Sequence, residues 1–475
     1  MIFNSFPFVF FFIIVTAAYF ILPHKFRWFL LLAASCYFYM FFYPVYILIL
    51  AFTIVIDYFA GIYLEKTPRP KKKLYLIYSL IANIGVLAFF KYYNFLNENL
   101  TIAMGTVHLK NSLPFLTILL PIGLSFHTFQ AMSYTIEVYR GKQKAERHFG
   151  IYALYVMFYP QLVAGPIERP QNLLHQFYEK HEFEIKRVVS GLRLMLWGFF
   201  KKIVIADRLS IYVNAVYTNV ENHSGLTFIL ATIFFAFQIY CDFSGYSDIA
   251  IGSARVMGFD LMTNFNRPYF SRSIHEFWGR WHISLSTWFK DYFYIPLGGN
   301  RVAIPRLYFN LFIVFLISGL WHGANWTYLI WGGLNGLYLV FLLATKNIRT
   351  KIANAIFGNK FHSLRNLLSI LITFAFVSIS WIFFRANNVH DGFYILSSIL
   401  KLHGPLFIDA TNITYSLMGI LILLIIEFRQ EYSGAKFKFM NNENVVVRYS
   451  IYLMLIFLII IFGVFDGGQF IYFQF

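Results

Sequence analysis

Residues 309–320 form an apolar stretch of twelve residues that runs directly into the polar patch Ser318-Gly-Leu-Trp-His322-Gly-Ala-Asn325-Trp326. Apolar stretches recur along the whole chain, near 6–22, 28–41, 45–64, 74–95, 114–139, 149–163, 188–206, 226–241, 309–320, 327–343, 366–384, 413–428 and 449–465. A membrane-spanning helix needs roughly 20 apolar residues, and several of these stretches are shorter. The sequence therefore predicts an all-α polytopic membrane protein, with about eleven transmembrane helices and additional short or re-entrant helices.

The composition excludes a water-soluble protein. Of the 475 residues, 59% are hydrophobic and 13% are charged, whereas a soluble globular protein carries about 25% charged residues. Cys36 and Cys241 lie far apart and form no CxxC pair, so neither a disulfide framework nor a thiolate metal site is predicted. Because apolar stretches run from end to end, we predict one integral membrane domain over residues 1–475.

The distribution of basic residues predicts the orientation in the membrane. The net charge is +17, from 39 Lys and Arg against 22 Asp and Glu. Strongly basic segments lie at 66–73, 140–147, 346–365 and 429–448, whereas 42–44, 97–113 and 386–411 are poor in Lys and Arg. Basic short loops stay in the cytoplasm, so both chain termini are predicted to be extracytoplasmic. The basic excess is assigned to topology and membrane lipids, and no nucleic-acid partner is predicted.

His322 is the first candidate for chemistry. Twelve helical residues cover about 18 Å of a hydrocarbon core of about 30 Å, so His322 is expected near mid-depth, in a break made by Gly319 and Gly323. An ionisable group there is costly unless it faces a cavity. An imidazole can accept a proton from a hydroxyl and return it to a leaving group. The alternative is a neutral core histidine, hydrogen-bonded to a carbonyl or to Asn325.

The interval 262–308 is polar and rich in Trp and Arg, and it is expected to fold partly back into the bundle as short or re-entrant helices. His275 and His282 are seven residues apart and would share a helix face, but local spacing supplies no third ligand, so no metal site is predicted. Arg280, Lys290 and Arg301 suit an anionic, phosphate-bearing donor that approaches from the cytoplasm. Anchoring in the membrane interface is the alternative role for these three residues.

Three blocks carry a family resemblance: Trp281-His282-Ile-Ser-Leu-Ser286, Tyr294-Ile-Pro-Leu-Gly-Gly-Asn-Arg301 and Gly319-Leu-Trp-His-Gly-Ala-Asn-Trp326. In this order they resemble the membrane-bound O-acyltransferase (MBOAT) superfamily, in particular its bacterial alginate O-acetylation branch. Asp242-Phe-Ser-Gly-Tyr-Ser-Asp248 and Trp381-Ile-Phe-Phe-Arg-Ala386 fit the same branch. The resemblance covers nearly the whole chain, but Gly279 stands where the branch usually has a second arginine.

The resemblance implies an enzyme of the bacterial inner membrane, with a catalytic core at about residues 120–345 around a central tunnel. Such an enzyme takes an acetyl group from a cytoplasmic thioester, with acetyl-CoA as the expected donor and no permanently bound cofactor. It delivers the group outside for O-acetylation of alginate, peptidoglycan or another exopolysaccharide. The resemblance also implies His322 as the catalytic residue, His282 as a second, cytoplasm-side histidine, and an extracytoplasmic serine-esterase-like (SGNH) partner.

The C-terminal tail 467–475 is unusual, because four of its last six residues are aromatic. Phe470-x-Tyr472-x-x-Phe475 resembles the C-terminal motif of the small partner protein in teichoic-acid D-alanylation, which implies Tyr472 as the acceptor of the acetyl group in a tyrosyl ester. Anchoring in the outer interface is the alternative. Two other functions stay open: D-alanyl transfer to teichoic acid, and non-enzymatic transport of a lipid-linked sugar with the histidines as a proton relay.

Overall fold

The computed structural model of the chain describes residues 1–41, 43–117, 121–358, 361–402, 404–434 and 439–465. Over these residues the regular secondary structure is helical, with no β-strand, which confirms the predicted all-α class. The chain divides into two compact units, Met1–Met195 with Tyr246–Met262 and Leu196–Gly245 with Thr263–Phe475. The prediction of one domain over 1–475 stays a prediction. The tail 467–475, with Tyr472, lies outside the described residues.

The first unit begins with eight helices: α1 (Phe6–Ile21), α2 (His24–Met40), α3 (Ile47–Lys66), α4 (Arg69–Thr106), α5 (Leu124–Tyr139), α6 (Phe149–Met157), α7 (Tyr159–Leu162) and α8 (Pro170–Leu173). Helix α4 has 38 residues and continues through most of 97–113, where the sequence predicted a loop. That prediction was wrong at this end, because Asn97, Glu98 and Asn99 are polar but do not stop a helix as Gly or Pro would.

Two predicted apolar stretches are interrupted. In the stretch 114–139, α5 begins only after Gly123, which adopts a left-handed φ of +76°. A Cβ at Gly123 would lie 2.8 Å from the carbonyl oxygen of Leu162, so the close approach also requires glycine. The stretch 149–163 is divided at Phe158 into α6 and α7, because Pro160 has no N–H to donate in a continuous helix and its ring would clash there with the carbonyl of Val156.

The remaining helices follow in chain order: α9 (Ile185–Phe199), α10 (Asp207–Tyr217), α11 (Gly225–Met257), α12 (Ile274–Arg280), α13 (Ile283–Phe289), α14 (Ile304–His322), α15 (Trp326–Ala344), α16 (Lys346–Phe357), α17 (His362–Arg385), α18 (Val389–Lys401), α19 (Ala410–Ser433) and α20 (Val445–Phe462). Within α9 and α11 the chain passes from one unit into the other. Single π-helical turns follow α9 at Phe200–Ala206 and α13 at Lys290–Tyr294. The interval 262–308 thus does form short helices, as predicted.

Helix α14 corrects the expected position of His322. The helix begins at Ile304, five residues before the apolar stretch, with Pro305 in its first turn, and it continues unbroken through Gly319 to His322. Its 19 residues cover about 28 Å, close to the thickness of a hydrocarbon core of about 30 Å. His322 therefore lies at the end of a span-length helix rather than 18 Å along it, and the predicted break begins only at Gly323.

Eight of the described helices are long and apolar enough to cross a membrane: α3, α4, α11, α14, α15, α17, α19 and α20. Helix α1 is apolar but shorter, with 16 residues. A multi-pass membrane protein is thereby confirmed, whereas the predicted number of about eleven spans is not.

Candidate active site

His322 is the last residue of α14 and is 5% exposed. Its ring is enclosed by three aromatic side chains, with centroid distances of 4.9 Å to Trp321, 4.9 Å to Trp331 and 5.2 Å to Phe384. All three rings lie edge-on to the imidazole, at interplanar angles of 71–84°. Such a site excludes bulk water and holds the imidazole in one orientation, as proton transfer requires.

The turn after His322 is fixed by a capping residue. Asn325 Oδ1 accepts a hydrogen bond from the N–H of Thr327 at 3.0 Å and so caps α15, while Asn325 Nδ2 donates to the carbonyl of Asn387 at 3.2 Å. Both polar atoms of Asn325 thus have a partner outside α14. The Asn387 bond also joins this turn to the end of α17, which supplies Phe384.

His282 was expected to share a helix face with His275, and this was wrong. Helix α12 ends at Arg280, and His282 is the N-cap of α13 with φ +43° and ψ +55°, in the left-handed region. His275 is exposed, whereas His282 is 1% exposed. A left-handed non-glycine residue costs of order 1–3 kcal/mol, and such strain persists only where the surroundings determine it.

Asn264 holds His282 in this left-handed conformation. Its backbone carbonyl accepts from the N–H of Ile283 at 2.9 Å, and its Oδ1 lies 3.1 Å from His282 Nδ1. The same Oδ1 accepts from the backbone N–H of Ser284 at 3.2 Å, and because an N–H can only donate, this atom is the amide oxygen. His282 Nδ1 must therefore carry the proton, which leaves the lone pair on Nε2. Burial lowers the pKa of His282 to about 3, so the ring is neutral at physiological pH.

The two histidines lie in one aromatic cluster. From His322 the path of touching rings runs through Trp331, Trp381, Trp281 and Phe265 to His282, with successive centroid distances of 4.9, 5.8, 5.1, 5.1 and 6.3 Å. The cluster is built from α15, α17 and the 262–308 interval. Two of the quoted blocks, those beginning at Trp281 and Trp381, therefore have a packing role beside the histidines.

The three predicted donor contacts differ in their surroundings. Arg280 is half-buried and makes ion pairs of 2.7 Å with Glu276 and 2.8 Å with Glu431. Burial lowers the pKa of Arg280, but the two carboxylates outweigh burial and raise it. Lys290 and Arg301 are exposed. Among the described residues no hydrogen bond or ion pair joins the three. Because Arg280 is already paired with Glu276 and Glu431, a donor phosphate at Arg280 would compete with these two carboxylates.

The block Asp242–Asp248 contributes a buried ion cluster. Lys202 Nζ lies 2.5 Å from Asp242 Oδ1 and 2.7 Å from Asp207 Oδ1, and all three side chains are at least 96% buried. Gly245 allows α11 to approach Gly198 and Lys202, since a Cβ there would lie 2.8 Å from the Gly198 carbonyl oxygen. The buried Lys202 is tolerated because it is paired with two carboxylates. This block therefore has a structural role beside Phe243, whose ring centroid lies 4.5 Å from that of His282.

Asn264 was missed at the level of sequence. It lies in Thr263-Asn264-Phe265-Asn266, 18 residues before His282, and no local spacing distinguishes it from its neighbour Asn266. Only burial separates the two, since Asn264 is fully buried and Asn266 is exposed. Among the described residues, no group of three or more His, Cys, Asp or Glu side chains could hold a metal ion.

The described residues form an all-helical bundle with eight helices that could cross a membrane. The buried His322 lies at the turn between α14 and α15. These features define an integral membrane protein with a buried polar site. The family model of MBOAT, the membrane-bound O-acyltransferase family, matches residues 148–356, which include both histidines. A "Peptidoglycan O-acetyltransferase" of Helicobacter pylori is 37% identical over 402 residues, which cover 79% of this chain and 74% of that protein. The chain therefore belongs to the membrane-bound O-acyltransferase family and is an acyltransferase.

Other relatives show the range of chemistry in this family. A "Probable alginate O-acetylase" of Pseudomonas aeruginosa is 39% identical over 394 residues, which cover 82% of this chain and 73% of that protein. A "Teichoic acid D-alanyltransferase" of Bacillus subtilis is 27% identical over 281 residues, which cover 57% of this chain and 69% of that protein. The similarity to the two acetylating relatives is thus both higher and more extensive.

Proposed function

We propose that this protein moves an acetyl group from a cytoplasmic thioester, acetyl-CoA, across the bacterial inner membrane for O-acetylation of an extracytoplasmic polysaccharide. The observation that carries the proposal is the enclosure of His322 by three aromatic rings, in a chain of this acyltransferase family. The relatives named for peptidoglycan and alginate acetylation favour acetyl over D-alanyl transfer. Among alginate, peptidoglycan and other exopolysaccharides the acceptor is left open, because a partner protein is expected to select it.

His322 is proposed as the general base, or as the group that orients and polarises the thioester. In the first role, an imidazole nitrogen takes the proton of the acceptor hydroxyl, whose oxygen attacks the thioester carbonyl carbon. The carbon–sulfur bond then breaks, and the departing thiolate recovers the proton. His282 acts less directly, by orienting the donor or by accepting a hydrogen bond at its Nε2 lone pair. Arg280, Lys290 and Arg301 are retained as candidate contacts for the donor phosphates, with interfacial anchoring as their alternative.

The proposed acceptor on this chain is Tyr472, outside the described residues. Acetylation of its hydroxyl would release the free thiol and form a tyrosyl ester, which the serine of an SGNH partner would then cleave to pass the acetyl group to the polymer. Both termini are proposed to be extracytoplasmic, which would present Tyr472 on the polymer side. A transport function does not account for the family membership.

We expect His322→Gln to lower acetyl transfer by at least 10²-fold, because general acid–base groups contribute about 10²–10⁴-fold. The measurement is consumption of labelled acetyl-CoA by the full-length protein in proteoliposomes. His390→Gln is the control, since the His390 side chain is 87% exposed on α18.

In the same assay Tyr472→Phe keeps the ring and removes only the hydroxyl, so it should abolish labelling of the protein itself. Near-normal transfer by His322→Gln would overturn the site, and full activity of Tyr472→Phe would leave the tail as an anchor.

A further inference from the structure

A cavity of about 180 Å³ lies between α15 and α17, beside the start of α12, and no step proposed above uses it. Five of its lining residues are polar: Arg272, Ser273, Arg349, Ser369 and Thr373. The two arginines belong to different segments, one immediately before α12 and one in the first turn of α16. Guanidinium groups present planar pairs of N–H donors that match phosphate oxygens, so this lining is chemically suited to a phosphate.

The charge around Arg272 and Arg349 remains positive after the ion pairs of the neighbouring residues are counted. Arg272 lies 3.7 Å from Glu276, but Glu276 also pairs with Arg280, and Glu431 pairs with both Arg280 and Arg267. Three arginines thus share two carboxylates, and Arg349 adds a further positive charge. Arg349 is oriented by bonds from Nε to Thr345 Oγ1 at 3.0 Å and from Nη2 to the Leu342 carbonyl at 2.6 Å. A guanidinium has five N–H donors, so these two bonds leave capacity for an anion.

The remaining walls are apolar and open toward the surface of two helices that can cross a membrane. Phe341 on α15 is 60% exposed, and Ile372 and Phe376 on α17 are 56% and 40% exposed. Tyr338 packs on Phe376 with a centroid distance of 5.1 Å, which links the two helices across the cavity. The volume is below the roughly 300–1,000 Å³ of pockets that enclose a drug-sized ligand, so it fits a headgroup whose apolar part stays on the outer walls.

We propose that this cavity binds one anionic phospholipid, with its phosphate between Arg272 and Arg349 and its acyl chains along Phe341, Ile372 and Phe376. The adjoining basic helix α16 attracts anionic lipids to this face, which raises their local concentration. A bound lipid would connect the start of α12 to α15 and α17, the elements that carry the aromatic cluster around His322. The proposal concerns binding alone and does not rest on the proposed acetyl transfer.

The test is native mass spectrometry of the purified full-length protein in detergent, with equal amounts of phosphatidylglycerol and phosphatidylcholine added. We expect one lipid to be retained, with phosphatidylglycerol favoured about tenfold. Arg272→Gln and Arg349→Gln should each lower its retention about tenfold, since each removes one charge-assisted contact. Ser369→Phe fills the cavity and keeps every charge, and it should also lose the lipid. Arg365→Gln removes a charge from the neighbouring α17 start, which does not line the cavity, and should retain it.

Equal retention of the two lipids would overturn the proposal. Equal loss in Arg365→Gln and Arg349→Gln would also overturn it, because this result indicates general surface attraction. Displacement of phosphatidylglycerol by millimolar inorganic phosphate would instead assign the cavity to a free anion. Gel filtration of each variant at the wild-type elution volume separates lost binding from lost folding.

Discussion

His282 and Asn264 illustrate how a single side chain defines the chemistry of another. A left-handed backbone, a proton on Nδ1 and a lone pair on Nε2 all follow from the contacts of Asn264 with residues 282–284. In wild type the low pKa keeps the ring neutral between pH 5 and 8, so its state does not change over that range. Because Asn264 contacts His282 Nδ1, a change of charge at Asn264 should alter this neutral state.

We predict that Asn264→Asp makes acetyl transfer sensitive to acid. The new carboxylate would still accept from His282 Nδ1, but its charge would favour the imidazolium and raise the pKa of His282. Below the raised pKa the ring would be protonated and inactive, so activity should fall between pH 7 and pH 5 and recover on return to neutral pH. The measurement is the pH profile of acetyl-CoA consumption against wild type.

Ser284→Ala is the matched control, because it removes a neutral hydroxyl, which donates to Asn264 Oδ1 at 2.9 Å and lies 3.5 Å from His282 Nδ1, and leaves the Ser284 N–H in place. It should cost about 1 kcal/mol of stability and leave the pH profile unchanged. An Asn264→Asp enzyme with wild-type activity and a flat pH profile would mean that His282 does not need to be neutral.

At the scale of elements, the α14–α15 hairpin depends on small residues where its two helices touch. A Cβ at Gly332 would lie 2.3 Å from the carbonyl oxygen of Phe315, and one at Gly336 would lie 3.0 Å from Phe312 Cα. Across the interface, a Cβ at Gly319 would lie 2.2 Å from the Tyr328 carbonyl oxygen. Gly332 and Gly336 have the GxxxG spacing that brings membrane helices into close contact. The hairpin in turn positions His322 against Trp331.

We predict that Gly332→Ala destabilises the protein by about 1–3 kcal/mol, since the methyl group would force apart backbones that are already in contact. The adjacent Gly333 is the control: a Cβ there would meet only Phe312 Cε2, at an ordinary 3.9 Å. Gly333→Ala should be neutral or stabilising by up to about 1 kcal/mol, because alanine favours helices. Thermal unfolding in detergent measures both. Equal melting temperatures for the two variants would contradict the role of close helix contact.

At the scale of the whole molecule, basic segments determine the predicted orientation. We predict that Ser112, after α4, is extracytoplasmic and that Lys351, in basic α16, is cytoplasmic. Single cysteines at these exposed positions, with Cys36 and Cys241 replaced by alanine, can be probed with a membrane-impermeant maleimide. Ser112→Cys should react in intact cells, whereas Lys351→Cys should react only after permeabilisation. The reverse pattern would invert the topology and place the C-terminal tail in the cytoplasm.

The helical membrane class and the family could be predicted from the sequence, because apolar length and contiguous residue blocks are local properties of the chain. His322 was identified by its apolar surroundings and His282 by the family resemblance. The boundaries were less accessible: α14 proved longer than its apolar stretch because Pro305 and Arg306 before the stretch belong to the helix, as do Trp321 and His322 after it. Asn310, inside the stretch, is buried and donates to the Leu297 and Gly299 carbonyls.

The surroundings of these residues come from contacts between distant parts of the chain. Asn264 is 18 residues from His282, Glu431 is 151 residues from Arg280, and Phe384 is 62 residues from His322, so no local pattern predicts their contacts. The cavity with Arg272 and Arg349 likewise joins separate segments of the chain. The physical reason is that hydrophobic patterns specify which elements form, whereas packing between distant elements specifies which polar groups meet, with which protonation state and at what distance.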